Sequence, residues 1–243
     1  MFERLSLLIG EDNLNKVSNK TVLVVGVGGV GGYTVTSLAR SGIKNIIIID
    51  YDKVDITNIN RQIIAYHSTI GQKKIDVLKK MLQDINPLVN VIKYDVFLTN
   101  ENIKEIFDKH DIDYVVDACD TIAAKKAIIE YCLNKDIKLI SSMGTGNRLD
   151  PTKLSIIDIR KTNNDPIARI MRKWIRDNKI NKKVMVLSSS EVPKKVGTVI
   201  SSNSFVPASA GLIITSYIIN DIIKEWRNSL FKIFYIVQLL FLI

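Results

Sequence analysis

The run Val24-Val25-Gly26-Val27-Gly28-Gly29-Val30-Gly31-Gly32 concentrates glycine directly after an apolar β-branched segment and directly before a helix-compatible one. In that context glycine has chemistry to do. Gly26 permits a tight turn, Gly28 and its neighbour Gly29 let backbone approach a phosphate, and Gly31 allows close helix packing. The helix start then offers free N–H groups and a positive dipole end to an anion. Asp50 closes the next apolar run and is placed to accept hydrogen bonds from ribose hydroxyls. An NAD site would meet every requirement up to this point.

Further blocks favour a triphosphate. Asp52 opens the segment Asp52-Lys53-Val54-Asp55-Ile56-Thr57-Asn58-Ile59-Asn60-Arg61-Gln62, and Gly71-Gln72-Lys73-Lys74 and Asp117-Ala118-Cys119-Asp120 follow in order. Arg61 and Lys74, with the amides of Asn58 and Gln62, can neutralise and orient three phosphates. Asp120 is a hard oxygen ligand suited to Mg²⁺. Cys119 ends an apolar run and reads as a small buried hydrophobe, and Cys132 as helix packing, so neither is expected to be a nucleophile.

These residues need a scaffold that brings them to one edge. Strand signals at Thr21–Val25, Ile46–Ile49, Val89–Val96, Tyr114–Cys119 and Lys138–Ser142 alternate with helix signals at Gly31–Ser41, Gln72–Ile85, Asn100–Lys109 behind a Thr99 cap, and Thr121–Asn134. The order predicts an α/β fold, a Rossmann-like, doubly wound, mostly parallel sheet. Additional C-terminal elements follow: strands at Leu154–Ile159 and Val184–Ser188, and helices at Pro166–Asn178 and Ala208–Trp226. The expected organisation is an N-terminal helical arm over 1–20, one domain over 21–228, and an apolar tail over 229–243.

The quartet GVGGVGG, DKVDITNINRQ, GQKK and DACD resembles the ubiquitin-activating-enzyme-like superfamily, the ThiF/MoeB/HesA group, whose members adenylate a carboxylate with ATP. The resemblance implies that Asp50 holds the ribose, that Asn58, Arg61, Gln62 and Lys74 handle the phosphates, and that Asp120 positions Mg²⁺. It also implies a homodimer, because Arg4 is similar to an N-terminal arginine that members insert into the neighbouring protomer's site. A sulfur-transfer protein or cysteine desulfurase is a further partner consistent with the group. The chain lacks two CxxC pairs and a catalytic cysteine domain, which disfavours a protein tail as substrate. Activation of the C-terminus of a ubiquitin-like sulfur carrier stays open as the alternative.

Later blocks narrow the resemblance. Ser142–Pro151, Asp158–Thr162, Asp165–Arg169, Ser190–Pro193 and Ser204–Ala208 resemble the tRNA threonylcarbamoyladenosine dehydratases. That likeness implies ATP-dependent cyclisation of threonylcarbamoyladenosine beside the anticodon of tRNA, with Arg148 contacting the substrate carboxylate or the adenylate.

Charge agrees with an RNA partner. Residues 1–159 carry 20 basic and 20 acidic side chains, whereas 160–195 carry 11 and 3, so this one window holds nearly all of the net +9. Within it Arg169, Arg172, Lys173 and Arg176 fall at i, i+3, i+4 and i+7, one face of the expected helix, and Lys179, Lys182, Lys183, Lys194 and Lys195 extend the patch. A phosphate backbone is the natural partner of such a face.

Hydrophobic residues at 47% and charged residues at 24% suit a globular core and exclude disordered and fibrous classes. Two cysteines cannot form a disulfide framework, and no signal peptide is evident, so a cytoplasmic location is expected. The last 14 residues, Leu230 to Ile243, are strongly apolar but shorter than the ~20 a spanning helix needs. Burial in a dimer or peripheral contact with a membrane are the two uses expected of them.

Overall fold

The structure, a computed structural model, describes residues 1–194, 197 and 199–240, with side chains as far as Lys224. In chain order the helices and strands are α1 (Glu3–Ile9), α2 (Glu11–Ser18), β1 (Thr21–Val25), α3 (Gly31–Arg40), β2 (Asn45–Ile49), α4 (Lys74–Ile85), β3 (Asn90–Tyr94), α5 (Ile103–Phe107), β4 (Tyr114–Asp117), α6 (Ile122–Lys135), β5 (Lys138–Ser142), β6 (Leu154–Asp158), α7 (Pro166–Asp177), β7 (Met185–Ser189) and α8 (Phe205–Leu240). Short 3₁₀ turns occupy Ile56–Asn58, His67–Thr69, Pro151–Lys153 and Ile159–Lys161.

The strands form one seven-stranded sheet in the order β3-β2-β1-β4-β5-β7-β6. All neighbours are parallel except β6 and β7. β1 lies between β2 and β4, with Val24 opposite Ile48 on one side and Val116 on the other. Its residues go to two cores in turn. Val22 and Val24 pack with α3, α4 and α8 through Val35, Leu38, Leu78, Ile214 and Ile218, whereas Leu23 and Val25 pack with Ile103, Phe107 and Ile128. Burial on both faces explains why the central strands β1 and β2 are nearly unbroken apolar runs in the sequence. A third cluster, including Met143, Ile159, Met171, Ile175 and Val186, seats α7 against α6 and β7.

Strand order reverses between β1 and β4, which opens a crevice at the carboxyl edge. Two glycines allow the β1–α3 turn to close there. Gly26 has φ +83°, and a Cβ on it would lie 2.8 Å from the Ala118 carbonyl oxygen; one on Gly31 would lie 1.8 Å from the Gly26 carbonyl oxygen.

Most expected boundaries shift by one or two residues, as where β3 and β4 end at Tyr94 and Asp117, and three shifts have a visible cause or consequence. α5 starts at Ile103, because Asn102 Oδ1 accepts the Thr99 N–H and Thr99 Oγ1 accepts from Glu101, so Thr99 shapes a turn ahead of the helix and does not cap it. α4 starts at Lys74, since Lys73 bridges to Lys53 in extended conformation. α8 is longer than expected at both ends. Its segment Phe205–Lys224 is long and apolar enough to cross a membrane, yet half of it is buried, with Ile214, Ile218 and Ile222 in the core. The side chains of the apolar tail over 229–243, and residues 195, 196 and 198, lie outside the described residues.

The N-terminal arm is two helices joined at Gly10. α2 buries Asn13, Val17 and Ser18, whereas α1 buries nothing and leaves Leu7 and Leu8 more than 80% exposed.

Candidate nucleotide and RNA site

At the carboxyl edge lies a cavity of about 650 Å³ lined by Gly26, Gly28, Gly29, Asp50, Asp52, Asn58, Arg61, Gln62, Lys74 and Asp120. Every nucleotide-site residue expected from the sequence is in this lining except Gly31, which packs the first turn of α3 against Gly26. Asp50 joins two loops: its Oδ2 accepts the Val27 N–H at 2.8 Å and its Oδ1 the Asp52 N–H at 2.8 Å. The Gly-rich turn and the β2–α4 segment are thus held at a fixed separation.

Lys74 begins α4 and is buried, with Nζ 2.7 Å from Asp52 Oδ2. Asp52 therefore aims the ammonium while itself staying half-exposed. Asn58 is fixed from behind, its Oδ1 accepting the Asp55 N–H at 3.1 Å in a capping box around the 56–58 turn. Arg61 engages only Nη1 among the described residues, with the Thr57 carbonyl at 2.8 Å and Asn60 Oδ1 at 3.0 Å. Gln62 is buried and its Oε1 has no partner among the described residues, so an acceptor stands unsatisfied in the lining. Burial of an unpaired polar atom is costly, and a ligand N–H or O–H would remove the cost.

Val96, Phe97 and Leu98, after β3, form an apolar side of the same cavity, and Phe97 meets Tyr51 edge-to-face at 5.0 Å. This surface suits a heteroaromatic base. Val96, Phe97 and Leu98 are not among the site residues expected from the sequence, although an aromatic flanked by aliphatics just beyond a strand end is the signal that could have found them.

A second omission lies below the floor. Asp117 and Lys125, both 0% exposed, pair at 3.1 Å, and Lys125 Nζ also donates to the Ser142 carbonyl at 2.7 Å. Ser141 Oγ donates to Asp117 Oδ2 at 2.5 Å. This network ties β4, β5 and α6 together. The sequence shows only a lysine beside the apolar Ala124, Ala127 and Ile128 of one helix, which gives no sign of its partners Asp117 and Ser142.

Cys119 Sγ donates to Asp117 Oδ1 at 3.0 Å, and burial, reinforced by the Asp117 charge, pushes the thiol far above its usual range. It is not a thiolate nucleophile. Asp120 is exposed, and its one hydrogen bond is accepted from Thr121 Oγ1 at 3.4 Å. No trio of His, Cys, Asp or Glu that could hold a metal occurs among the described residues. A single free carboxylate beside a phosphate site fits Mg²⁺, which keeps several waters and takes phosphate oxygens as ligands.

Arg148 departs from expectation. It lines the cavity, but it is 2% exposed and its five N–H donors meet five acceptors within the protein. Nε donates to the Gly144 carbonyl at 3.0 Å, Nη1 to the carbonyls of Ser189 at 3.3 Å and Glu191, and Nη2 to the Asn164 carbonyl at 3.1 Å and Asp165 Oδ2 at 3.5 Å. With no donor left for a substrate carboxylate, Arg148 clamps loops together.

α7 carries the expected basic face. Ala168, Met171 and Ile175 are buried, and Arg169, Lys173 and Arg176 are exposed on the opposite side. Arg172 differs, since it is half-buried and Nη1 donates to the carbonyl and Oγ1 of Thr162. Lys182 is also engaged, with Asp136 and the Leu133 carbonyl. Lys195 lies outside the described residues. Arg4 is exposed on α1 and is absent from the cavity lining of its own chain.

The ThiF family pattern matches residues 2–219. The chain is 44% identical over 242 residues to a tRNA threonylcarbamoyladenosine dehydratase of Bacillus subtilis (strain 168), covering 92% of this chain and 95% of that protein. It is 35% identical over 207 residues to the Escherichia coli (strain K12) protein of the same name, covering 85% of this chain and 75% of that one. A crystal structure of the Escherichia coli tRNA N6-threonylcarbamoyladenosine dehydratase in complex with ATP superposes with a TM-score of 0.88 at 31% identity, over 93% of this chain and 95% of that one.

Proposed function

The chain belongs to the ThiF family, and from that premise we propose that it dehydrates threonylcarbamoyladenosine in tRNA, closing a ring at the expense of ATP by way of an adenylated carboxylate. The observation that carries this reading is the single cavity that gathers Asp50, Asn58, Arg61, Gln62, Lys74 and Asp120 in a fold closely similar to a dehydratase solved with ATP.

Residues 21–228 act as one adenylating unit. The N–H groups of the Gly26–Gly31 turn and the start of α3 receive phosphate oxygens, Asp50 receives the ribose, and Val96, Phe97 and Leu98 receive the base. Lys74, aimed by Asp52, and Arg61 stabilise charge that builds on the α-phosphate as the threonyl carboxylate attacks it. Pyrophosphate leaves, and the carboxylate now carries AMP, a far better leaving group than oxide. The neighbouring carbamoyl nitrogen attacks the activated carbonyl, loses its proton, and displaces AMP as the five-membered ring closes. The net change is loss of one water. No protein nucleophile takes part, in keeping with Cys119, half-buried in the cavity lining, whose thiol is pushed up by desolvation and by the Asp117 charge.

Asp120 would hold Mg²⁺, which supplies charge neutralisation for the polyphosphate. A second copy of the chain brings Arg4 to the site: α1 has no buried residue of its own, and its exposed Leu7 and Leu8 are suited to an interface between protomers. Arg169, Lys173 and Arg176 receive the tRNA backbone, and a cytoplasmic location is consistent with that partner.

The test is incubation with MgATP and tRNA carrying threonylcarbamoyladenosine, followed by nucleoside mass analysis. The expected product is lighter by one water. An unchanged nucleoside mass with folded protein and intact ATP binding would overturn the reading.

A further inference from the structure

Asp165 stands at the junction of the two functional regions and uses both carboxylate oxygens. Oδ1 accepts the Ala168 N–H at 2.9 Å and so caps α7, the helix with the basic face. Oδ2 accepts from the Gly144 N–H at 3.1 Å, Ser188 Oγ at 3.3 Å and Arg148 Nη2 at 3.5 Å. Gly144 and Arg148 bound a loop that lines the cavity, and so do Pro166 and Ile167 in the first turn of α7. α7 is therefore a rod whose first turn forms cavity wall and whose far end, at Arg176, lies ~13 Å along the axis by the rise of an α-helix. Asp165 is 3% exposed, and its bonds reach β7, the cavity loop and α7 at once. A lone helix cap needs one such bond, to its own helix.

We propose that Asp165 is a positioning residue that keeps the basic face of α7 in register with the nucleotide cavity, so that tRNA held on α7 delivers its threonyl carboxylate to the α-phosphate. This rests on the reading of α7 as a tRNA-binding face. The physical requirement is strict, because a displacement of about 1 Å can cost a hundredfold in rate.

The variant D165S isolates the role. Serine caps helices about as well as aspartate, so the bond to Ala168 persists while the three bonds at Oδ2 are removed. The full chain is compared with and without the change in single-turnover reactions with MgATP and threonylcarbamoyladenosine-bearing tRNA. Dissociation constants for ATP and for tRNA are measured separately. The expected result is both constants within about threefold of the unaltered chain, alongside a fall in ring-closure rate of about a hundredfold. Ring closure at the original rate overturns the proposal, and so does a rate loss matched by an equal loss of ATP or tRNA affinity. If D165S does not fold, D165N carries the same test: it keeps volume and cap but sets an amide donor against three donors. Reversal of Arg169, Lys173 and Arg176 runs beside it. Unchanged tRNA affinity there would count against α7 as the tRNA face, whereas failure of D165S alone counts against the joint.

Discussion

On the wall of the cavity built from the ends of β1, β2 and β4, Arg61 engages only Nη1 and Gln62 Oε1 has no partner among the described residues, and Asp120 is exposed. On the wall built from residues 144–148 and the start of α7, Arg148 meets five acceptors and Asp165 is enclosed by β7, the loop and the helix. Polar residues line both walls, but the first leaves hydrogen-bonding capacity for a ligand and the second spends its own internally. Capacity left open at a water-accessible site can stabilise charge that develops on a substrate. Capacity consumed in a buried network instead holds backbone segments in one geometry. Presence in a cavity lining therefore does not make an arginine a substrate ligand.

This contrast can be broken or sharpened by substitution. The largest effect is expected at Arg148: R148A leaves Asp165 buried without its cation and should cost about 3–5 kcal/mol of stability, read by denaturant unfolding. Ready unfolding with ATP binding retained in the remaining folded fraction would confirm the clamp, and an unaltered stability would refute it. K74A on the opposite wall should behave inversely. Adenylation, followed by ATP–pyrophosphate exchange, should fall by about 10²–10³, because a positive group aimed at the reacting phosphate is lost. Folding should suffer less, since Asp52 is half-exposed and can be hydrated.

Smaller again is the effect of reversing Arg169, Lys173 and Arg176 to Glu, with Arg172 left in place for its bond to Thr162. The slope of log affinity for tRNA against log salt should decline by about 3, about 1 for each phosphate contact, while ATP binding is unchanged. Smallest is C119A. With its thiol protonated and bonded to Asp117, Cys119 should be dispensable, and turnover should remain within about threefold of the original, under 1 kcal/mol in barrier. Loss of turnover in a stable C119A protein would require a covalent step.

The alternation of apolar runs with amphipathic segments makes the doubly wound sheet legible, because parallel strands buried on both faces leave few alternative patterns. Gly26, Asp50, Asn58, Arg61, Lys74 and Asp120 were legible because each belongs to a compact local block of the sequence. Lys125 and Asp165 were not. Each acts on residues distant in the chain, Lys125 on Ser142 and Asp165 on Gly144 and Ser188, and no spacing in the sequence announces such contacts. Arg148 was found but given the wrong part, since an arginine in a polar, glycine-containing loop reads alike whether its donors face a ligand or backbone carbonyls.

Residue order alone thus sets the order of strands and helices, the glycine turn, the polar blocks that meet at the cavity and the confinement of excess charge to 160–195, all of which depend on neighbours a few positions apart. Packing in three dimensions settles which charges remain free. Folding brings the 144–148 loop, β7 and the start of α7 around Arg148 and Asp165 and satisfies them there, while it leaves Arg61, Gln62 and Asp120 at the open edge of the sheet. The physical reason is desolvation: a polar group withdrawn from water must find its partners within the protein, and what it finds is fixed by the fold.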